Sequence, residues 1–208
     1  MQGKFIVLDG CDFTGKTTQC NKIASYFARN YNIKNIITRE PGGTQFGEQI
    51  REIILENGKK LHPYSELLLF MSARSEHIFS KITPMLEQGI SVICDRYIAS
   101  TFVYQGILRE VPHQNILTLH QNLFNNLKPD ITFILDMDPE IILKRMQEVE
   151  FKGCNNYDSK TIEDITKIRN GFLEFTKTEE CHIINANNKP DDVFEGIMTK
   201  LKEVFKVL

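Results

Sequence analysis

No stretch of this 208-residue chain approaches the roughly 18–20 consecutive apolar residues a membrane-spanning helix needs. The N-terminus reads as a short strand, without the basic and apolar regions of a signal peptide. Neither sign of charge dominates: 25 Lys and Arg against 27 Asp and Glu leave a formal charge of −2. That balance supplies no overall cationic field for a nucleic-acid backbone, so a dedicated DNA- or RNA-binding role is excluded from the expectation. The five cysteines, Cys11, Cys20, Cys94, Cys154 and Cys181, are odd in number and form no Cys-x-x-Cys pair. This argues against a disulfide framework and a zinc site and for a reducing, cytoplasmic setting. The histidines have no partners suggestive of a Ser-His-Asp or Cys-His set. Repeats, low-complexity tracts and linker-like stretches are absent, so one domain over residues 1–208 is expected.

What the chain does contain is an alternation. Short apolar runs at Phe5 to Leu8, Ile33 to Ile37, Ile90 to Cys94, Ile131 to Leu135 and His182 to Ile184 read as five strands. Each run is nearly continuous in its hydrophobicity, as parallel strands covered on both faces require. Between them, helical period predicts helices at about 16–29, 45–57, 64–88, 98–107, 113–126, 138–148, 160–177 and 190–206. Pro139 after Asp138, and Pro190 before two aspartates, are start signals for two of these. The expected architecture is therefore α/β, a central five-stranded parallel sheet flanked by helices in three layers. Residues 149–159 lack periodicity and collect Gly, Asn and Asp, which makes them the candidate mobile loop.

The strongest chemical signal is Gly10-Cys11-Asp12-Phe13-Thr14-Gly15-Lys16-Thr17, which fits Gly-x4-Gly-Lys-Ser/Thr between the first strand and first helix. Glycines let backbone N–H groups wrap a polyphosphate, and the first helical turn aims its free donors at the same anion. Lys16 would neutralise terminal phosphate charge and the Thr17 hydroxyl would ligate magnesium. The motif occurs in kinases, GTPases and ATPases alike. A second cluster, Asp95-Arg96-Tyr97, ends the third strand, on the side where an open parallel sheet binds its ligands. Asp95 could hold magnesium through water, and Arg96 could bridge phosphates with its planar fork. Phe70 and Arg74 are four residues apart on one helix face, an arrangement that could sandwich a flat base, although on spacing alone such a pair is more often a core ring and a solvated guanidinium.

In combination these residues resemble the thymidylate kinase family. The resemblance runs through Phe5-Ile-Val-Leu-Asp-Gly and the phosphate loop, Thr38-Arg-Glu-Pro-Gly-Gly-Thr44, Phe70 with Ser72-Ala-Arg74, and Asp95-Arg-Tyr97 on to Ser100 and Tyr104-Gln-Gly106. It implies transfer of the ATP γ-phosphoryl group to dTMP with magnesium, in a homodimer. By the family pattern Arg39 and Arg96 would hold the acceptor phosphate, Phe70 would stack on thymine and Arg74 would bond a base carbonyl. Asp12 would reach the sugar 3′-hydroxyl or phosphate region, Tyr104 would press on the 2′ position, and Ser100, Thr101 and Gln105 would line the base pocket. Two alternatives stand beside this reading: a kinase for another deoxynucleotide or nucleoside, and a nucleotide-binding switch. For the switch, the nearest approach to a guanine-reading motif is Asn188-Lys189-Pro190-Asp191, where proline also suits a helix start.

The chain departs from the family at the lid, about residues 144–160. Phe13 stands where one type of member carries a loop arginine, and Asn155-Asn156-Tyr157-Asp158 where the other type carries lid arginines. Arg145 is the expected substitute, with Lys152 a weaker one because a lysine lacks the bidentate fork.

Overall fold

The computed structural model describes residues 3–57, 60–124, 127–151 and 160–205. Five strands form: β1 Phe5–Gly10, β2 Asn35–Arg39, β3 Ser91–Asp95, β4 Ile131–Asp136 and β5 His182–Asn185. All pair in parallel, in the order β2-β3-β1-β4-β5. The continuous apolar run of β1 has a simple cause in the two layers around it. Ile6 and Leu8 enter the core shared with α1 (Lys16–Tyr31), α8 (Ile162–Phe175) and α9 (Pro190–Val204), while Phe5 and Val7 enter a second core beneath α3 (Pro63–His77). Alternate residues point to opposite faces, and both faces are dry.

The sheet order reverses direction beside β1, so the crevice of this open sheet lies where the C-terminal ends of β1 and β3 meet. Their register pairs Leu8 with Asp95, which brings the two motif-bearing loops side by side.

Helix boundaries follow the sequence closely in α2 (Gln45–Asn57), α6 (His113–Leu123) and α7 (Pro139–Phe151). Two helices differ from expectation in kind. The segment expected as one helix over 64–88 is α3, a wider π-type turn at Ile78–Ile82, and a short α4 at Thr83–Glu87. There the Thr83 N–H reaches back to the Ile78 carbonyl, immediately before Pro84, which has no N–H to give. Likewise the helix expected at 98–107 is α5 (Ile98–Thr101) followed by a π-type turn, Phe102–Ile107, that carries Tyr104 and Gln105. Helix α8 starts at a reciprocal capping box between Thr161 and Asp164, two residues later than expected. Residues 152–159, the larger part of the expected loop, lie outside the described residues.

Beneath the site, the buried His120 ring packs edge-on against Tyr97 at 5.4 Å and Phe124 at 5.2 Å. Burial, aided by repulsion from Arg74, lowers its pKa to about 4. The unfolded imidazole takes up a proton near its ordinary value of about 6.5, whereas the folded one resists until about 4. Stability contributed by the neutral ring is therefore complete above about 6.5 and is lost as pH falls toward 4. Urea titrations at pH 7 and pH 4.5 should show His120→Phe losing less stability on acidification than the wild type, by about 1–2 kcal/mol. Equal losses would remove His120 from the acid response.

Candidate active site

The phosphate loop leaves β1 at Gly10, whose φ is +135° and where an added Cβ would lie 2.6 Å from the Leu135 carbonyl oxygen. No other residue fits that approach. The loop closes on itself through Thr14 Oγ1, which donates to the Cys11 carbonyl at 2.9 Å, and enters α1 at Gly15, with φ +92°. Gly15 offers no side-chain cap and the first turn of α1 holds no acidic residue of its own, so the helix supplies no side chain to cover its first backbone donors. The Lys16 ammonium is buried and donates to the Cys11 and Gly10 carbonyls at 2.6 and 3.2 Å. Burial and then Arg96 push its pKa below the ordinary lysine value, against Asp12, Asp95 and Asp9. Burial raises the Cys11 thiol to about 11, which makes it an inert wall of the loop.

Two carboxylates tie this loop to the end of β3. Thr17 Oγ1 donates to Asp95 Oδ2 at 2.6 Å, joining the two oxygen groups the sequence offered to magnesium. Asp9, fully buried, accepts from Ser100 Oγ at 2.7 Å and from the backbone N–H groups of Gly10, Tyr97 and Ser100, each at 3.0 Å. It thereby fixes the start of α5 against the end of β1. Burial pushes its carboxyl up, opposed first by Arg96. Sequence reasoning missed Asp9, which looks like the polar end of a strand.

Arg96, with φ +75°, reaches back across this junction. Its Nη1 donates to the Gly10 carbonyl at 3.2 Å and to Ser100 Oγ at 2.9 Å, while Nη2 pairs with Asp12. Asp12 also binds Lys160 Nζ at 2.6 Å and the Tyr104 hydroxyl at 3.2 Å. Burial raises the Asp12 carboxyl, but Arg96, Lys160 and Lys16 outweigh it and hold the group well below the usual carboxylate range.

Beside this cluster a cavity of about 200 Å³ collects Asp12, Phe70, Arg74, Arg96, Ser100, Thr101, Tyr104 and Gln105, every acceptor-site residue expected from the sequence except Arg39. Phe70 is half-buried, packed against Ile50, Ile54 and Ala73 and also lining the cavity. Arg74 is 2 % exposed, so it is not the solvated guanidinium that spacing alone allows. Its Nε donates to Glu40 at 2.7 Å and its Nη2 to Thr101 at 2.9 Å. Glu40 also meets His77, and although burial raises its carboxyl, Arg74 and His77 bring it below its ordinary value.

Arg39 is placed differently. It is exposed, bonded to Glu48 at 2.9 Å, and lines a neighbouring cleft with Thr17 and Asp95. The cavity receives Arg51 instead, whose Nη1 donates to the Pro41 carbonyl at 3.0 Å. Arg51 lies on α2, seven residues beyond Thr44, a spacing that carries no chemical signal by itself. In the segment expected as a lid, Arg145 Nη1 donates to the Phe13 carbonyl at 2.9 Å, against the phosphate loop. Lys152 lies outside the described residues. Lys189 and Pro190 of the guanine-reading candidate begin α9, and Asp191 is paired with Lys22. A larger cavity, about 560 Å³, lies around the N-terminal end of β4 and contains none of the phosphate-loop residues.

Residues 8–197 match the family model described as Thymidylate kinase. The chain is 39 % identical over 208 residues to a thymidylate kinase of Caldicellulosiruptor saccharolyticus, covering 99 % of each chain. It is 41 % identical over 207 residues to one of Wolbachia pipientis, covering 96 % of this chain and 97 % of that one. A crystal structure of thymidylate kinase from Ehrlichia chaffeensis superposes with a TM-score of 0.77 at 32 % identity, over 97 % of this chain and 99 % of the other. The parallel sheet, the phosphate loop and the adjoining cavity thus sit in a chain that belongs to the thymidylate kinase family.

Proposed function

We propose that this chain, a single kinase domain, transfers the γ-phosphoryl group of ATP to dTMP, giving dTDP and ADP. The observation that carries the reading is the position of Arg96: it is bonded to the phosphate-loop carbonyl of Gly10 and lines the cavity that holds Phe70 and Arg74. One guanidinium thus stands where a polyphosphate and a phosphorylated nucleoside would meet. An oxygen of the acceptor phosphate forms the new bond to the γ-phosphorus as the bond to the ADP oxygen breaks, so no protein nucleophile is needed. The protein's part is positioning and charge neutralisation. Lys16 holds the donor's terminal phosphates, and Arg96 with Arg51 holds the acceptor phosphate. Arg39, paired with Glu48, is an outer cation on the Asp95 side. Phe70 stacks on the base, Arg74 donates to a base carbonyl, and Tyr104, held by Asp12, closes on the sugar.

Magnesium fits the hydroxyl and carboxylate of Thr17 and Asp95, which share one small space. Such an ion takes one or two protein oxygens and completes its shell with phosphates and water. When bound it would neutralise charge on the donor phosphates. Arg145, already on the phosphate loop, is the lid cation for the transferring group.

The assembly we read is a homodimer through α2 and α3. Tyr64, Leu68 and Phe79 recur along one side of α3 and its π-type continuation, and Phe46 and Ile53 lie seven apart on α2; all are exposed. Such a face in a water-soluble enzyme fits a second copy of itself. The described cysteines are free thiols and no described helix is long and apolar enough to cross a membrane, in keeping with the cytoplasm.

ADP release with ATP and magnesium, compared across dTMP, dUMP, dCMP, dGMP and dAMP, tests the assignment. The kcat/KM for dTMP should exceed that for dCMP at least about tenfold, because a guanidinium cannot accept from cytosine's exocyclic amine; equal values would overturn the pocket assignment. Lys16→Ala and Arg96→Ala should each lower kcat at least about tenfold in a folded protein. A near-wild-type kcat in either would remove that residue from the transfer step. Arg145→Ala should cost more than about twofold in kcat at saturating substrates, and a smaller loss would place the lid clamp elsewhere. Sedimentation should show Leu68→Glu as a monomer where the wild type is a dimer, and a monomeric wild type would contradict the assembly.

A further inference from the structure

Two polar groups in the acceptor cavity differ in kind. Arg74 can only donate hydrogen bonds, whereas Gln105 presents a donor or an acceptor according to which end of its amide faces the cavity. That choice is made from behind. Gln105 Nε2 donates to Glu66 Oε1 at 2.7 Å, and a carboxylate offers only acceptors, so the amide nitrogen is the end that turns to it. The carbonyl Oε1 is left on the other side, and among the described residues it has no protein donor and is not one of the buried unpaired atoms. Glu66 is itself ion-paired: its Oε2 lies 2.9 Å from Arg109 Nε, without the alignment of a hydrogen bond, and Arg109 is tethered to the Leu61 carbonyl. Both Glu66 and Gln105 are buried, at 8 % and 1 % exposure.

We propose that Glu66 is a positioning residue for base selection, locking Gln105 so that the cavity shows an acceptor beside the donors of Arg74. That pair matches the edge of a pyrimidine imide, in which a carbonyl accepts from the guanidinium and the ring N–H donates to Gln105 Oε1. It mismatches cytosine, whose ring nitrogen is an acceptor and whose exocyclic amine is a donor. A site that reads a hydrogen with a fixed buried partner rejects the analogue lacking it far more strongly than a merely apolar pocket does. The inference rests on the reading of this cavity as the base site. Arg109 supplies the countercharge and fixes the Glu66 carboxylate against Gln105; without it the carboxylate is free to swing away and the amide to turn over.

Steady-state kinetics with dTMP and dCMP, alongside thermal unfolding and ATP binding, tests this. In Glu66→Gln the neutral partner accepts either amide orientation. The loss for dTMP should then fall on KM more than on kcat, by at least fivefold, and the dTMP-to-dCMP ratio of kcat/KM should drop at least tenfold. The double variant Glu66→Gln/Gln105→Glu keeps the hydrogen bond with its polarity reversed and keeps an acceptor toward the cavity, so the ratio should return to within threefold of wild type. If Glu66→Gln does not fold, Arg109→Met reads the same quantity, with the ratio narrowing at least threefold. A ratio unchanged within twofold in a folded Glu66→Gln or Arg109→Met, with both substrates losing together, overturns the proposal and leaves Glu66 a packing residue. A wild type inactive on dTMP strikes the proposed activity itself, a result separable from any effect of Glu66.

Discussion

The Asp9 carboxylate is the joint on which this site depends. It sits at the end of β1, buried, with its two oxygens occupied by the backbone of Gly10, Tyr97 and Ser100 and by the Ser100 hydroxyl. A desolvated carboxylate is costly unless it is so satisfied, and the arrangement that satisfies it forces the loop after β3 against the loop after β1. Arg96 is then delivered, through a backbone conformation that only a few per cent of non-glycine residues adopt, onto the Gly10 carbonyl and Asp12. The phosphate loop and the cavity lined by Phe70 and Arg74 become neighbours through that one anchor.

The charge of the molecule is organised around the same point. A chain with a formal charge of −2 nevertheless gathers Lys16, Arg96, Lys160, Arg145, Arg51 and Arg74 about one crevice. Two of these cations are held by Asp12, and Arg74 by Glu40, so the positive groups are kept in place by partners that burial alone would leave neutral. Preorganised charge of this kind costs no rearrangement when phosphates arrive.

Much of this was legible in the sequence, for reasons that particular residues make plain. The five strands were readable because each carries a short, mostly apolar run, least clearly β2, where Lys34 and Asn35 interrupt it and the strand lies two residues later than the run, and the phosphate loop because its glycines and lysine fall at fixed spacing between a strand and a helix. Asp95 and Arg96 stood out by their place at a strand end, whereas helix-face spacing alone favoured a core ring and a solvated guanidinium for Phe70 and Arg74, and only the family resemblance pointed to the cavity they line. What escaped were partners far apart in the chain. Asp9 and Ser100 are separated by 91 positions, Gln105 and Glu66 by 39, and Arg74 and Glu40 by 34, and no periodicity links them. Arg39 had the right position on β2, but Glu48, nine residues on, draws its side chain to the other side of the crevice. The π-type turns escaped because widening a helix by one residue depends on what it packs against, and sequence period hardly registers it.

If the crevice seats both phosphorylated substrates end to end, a single molecule that joins adenosine to thymidine through a chain of five phosphates will occupy both sites at once. Calorimetric titration of the enzyme with that dinucleotide, beside ATP and dTMP separately, measures the arrangement directly. The expected result is binding about a hundredfold or more tighter than either nucleotide alone, because the second site is filled at a high effective concentration. A dinucleotide that binds no more tightly than ATP would show that the two sites do not adjoin through Arg96.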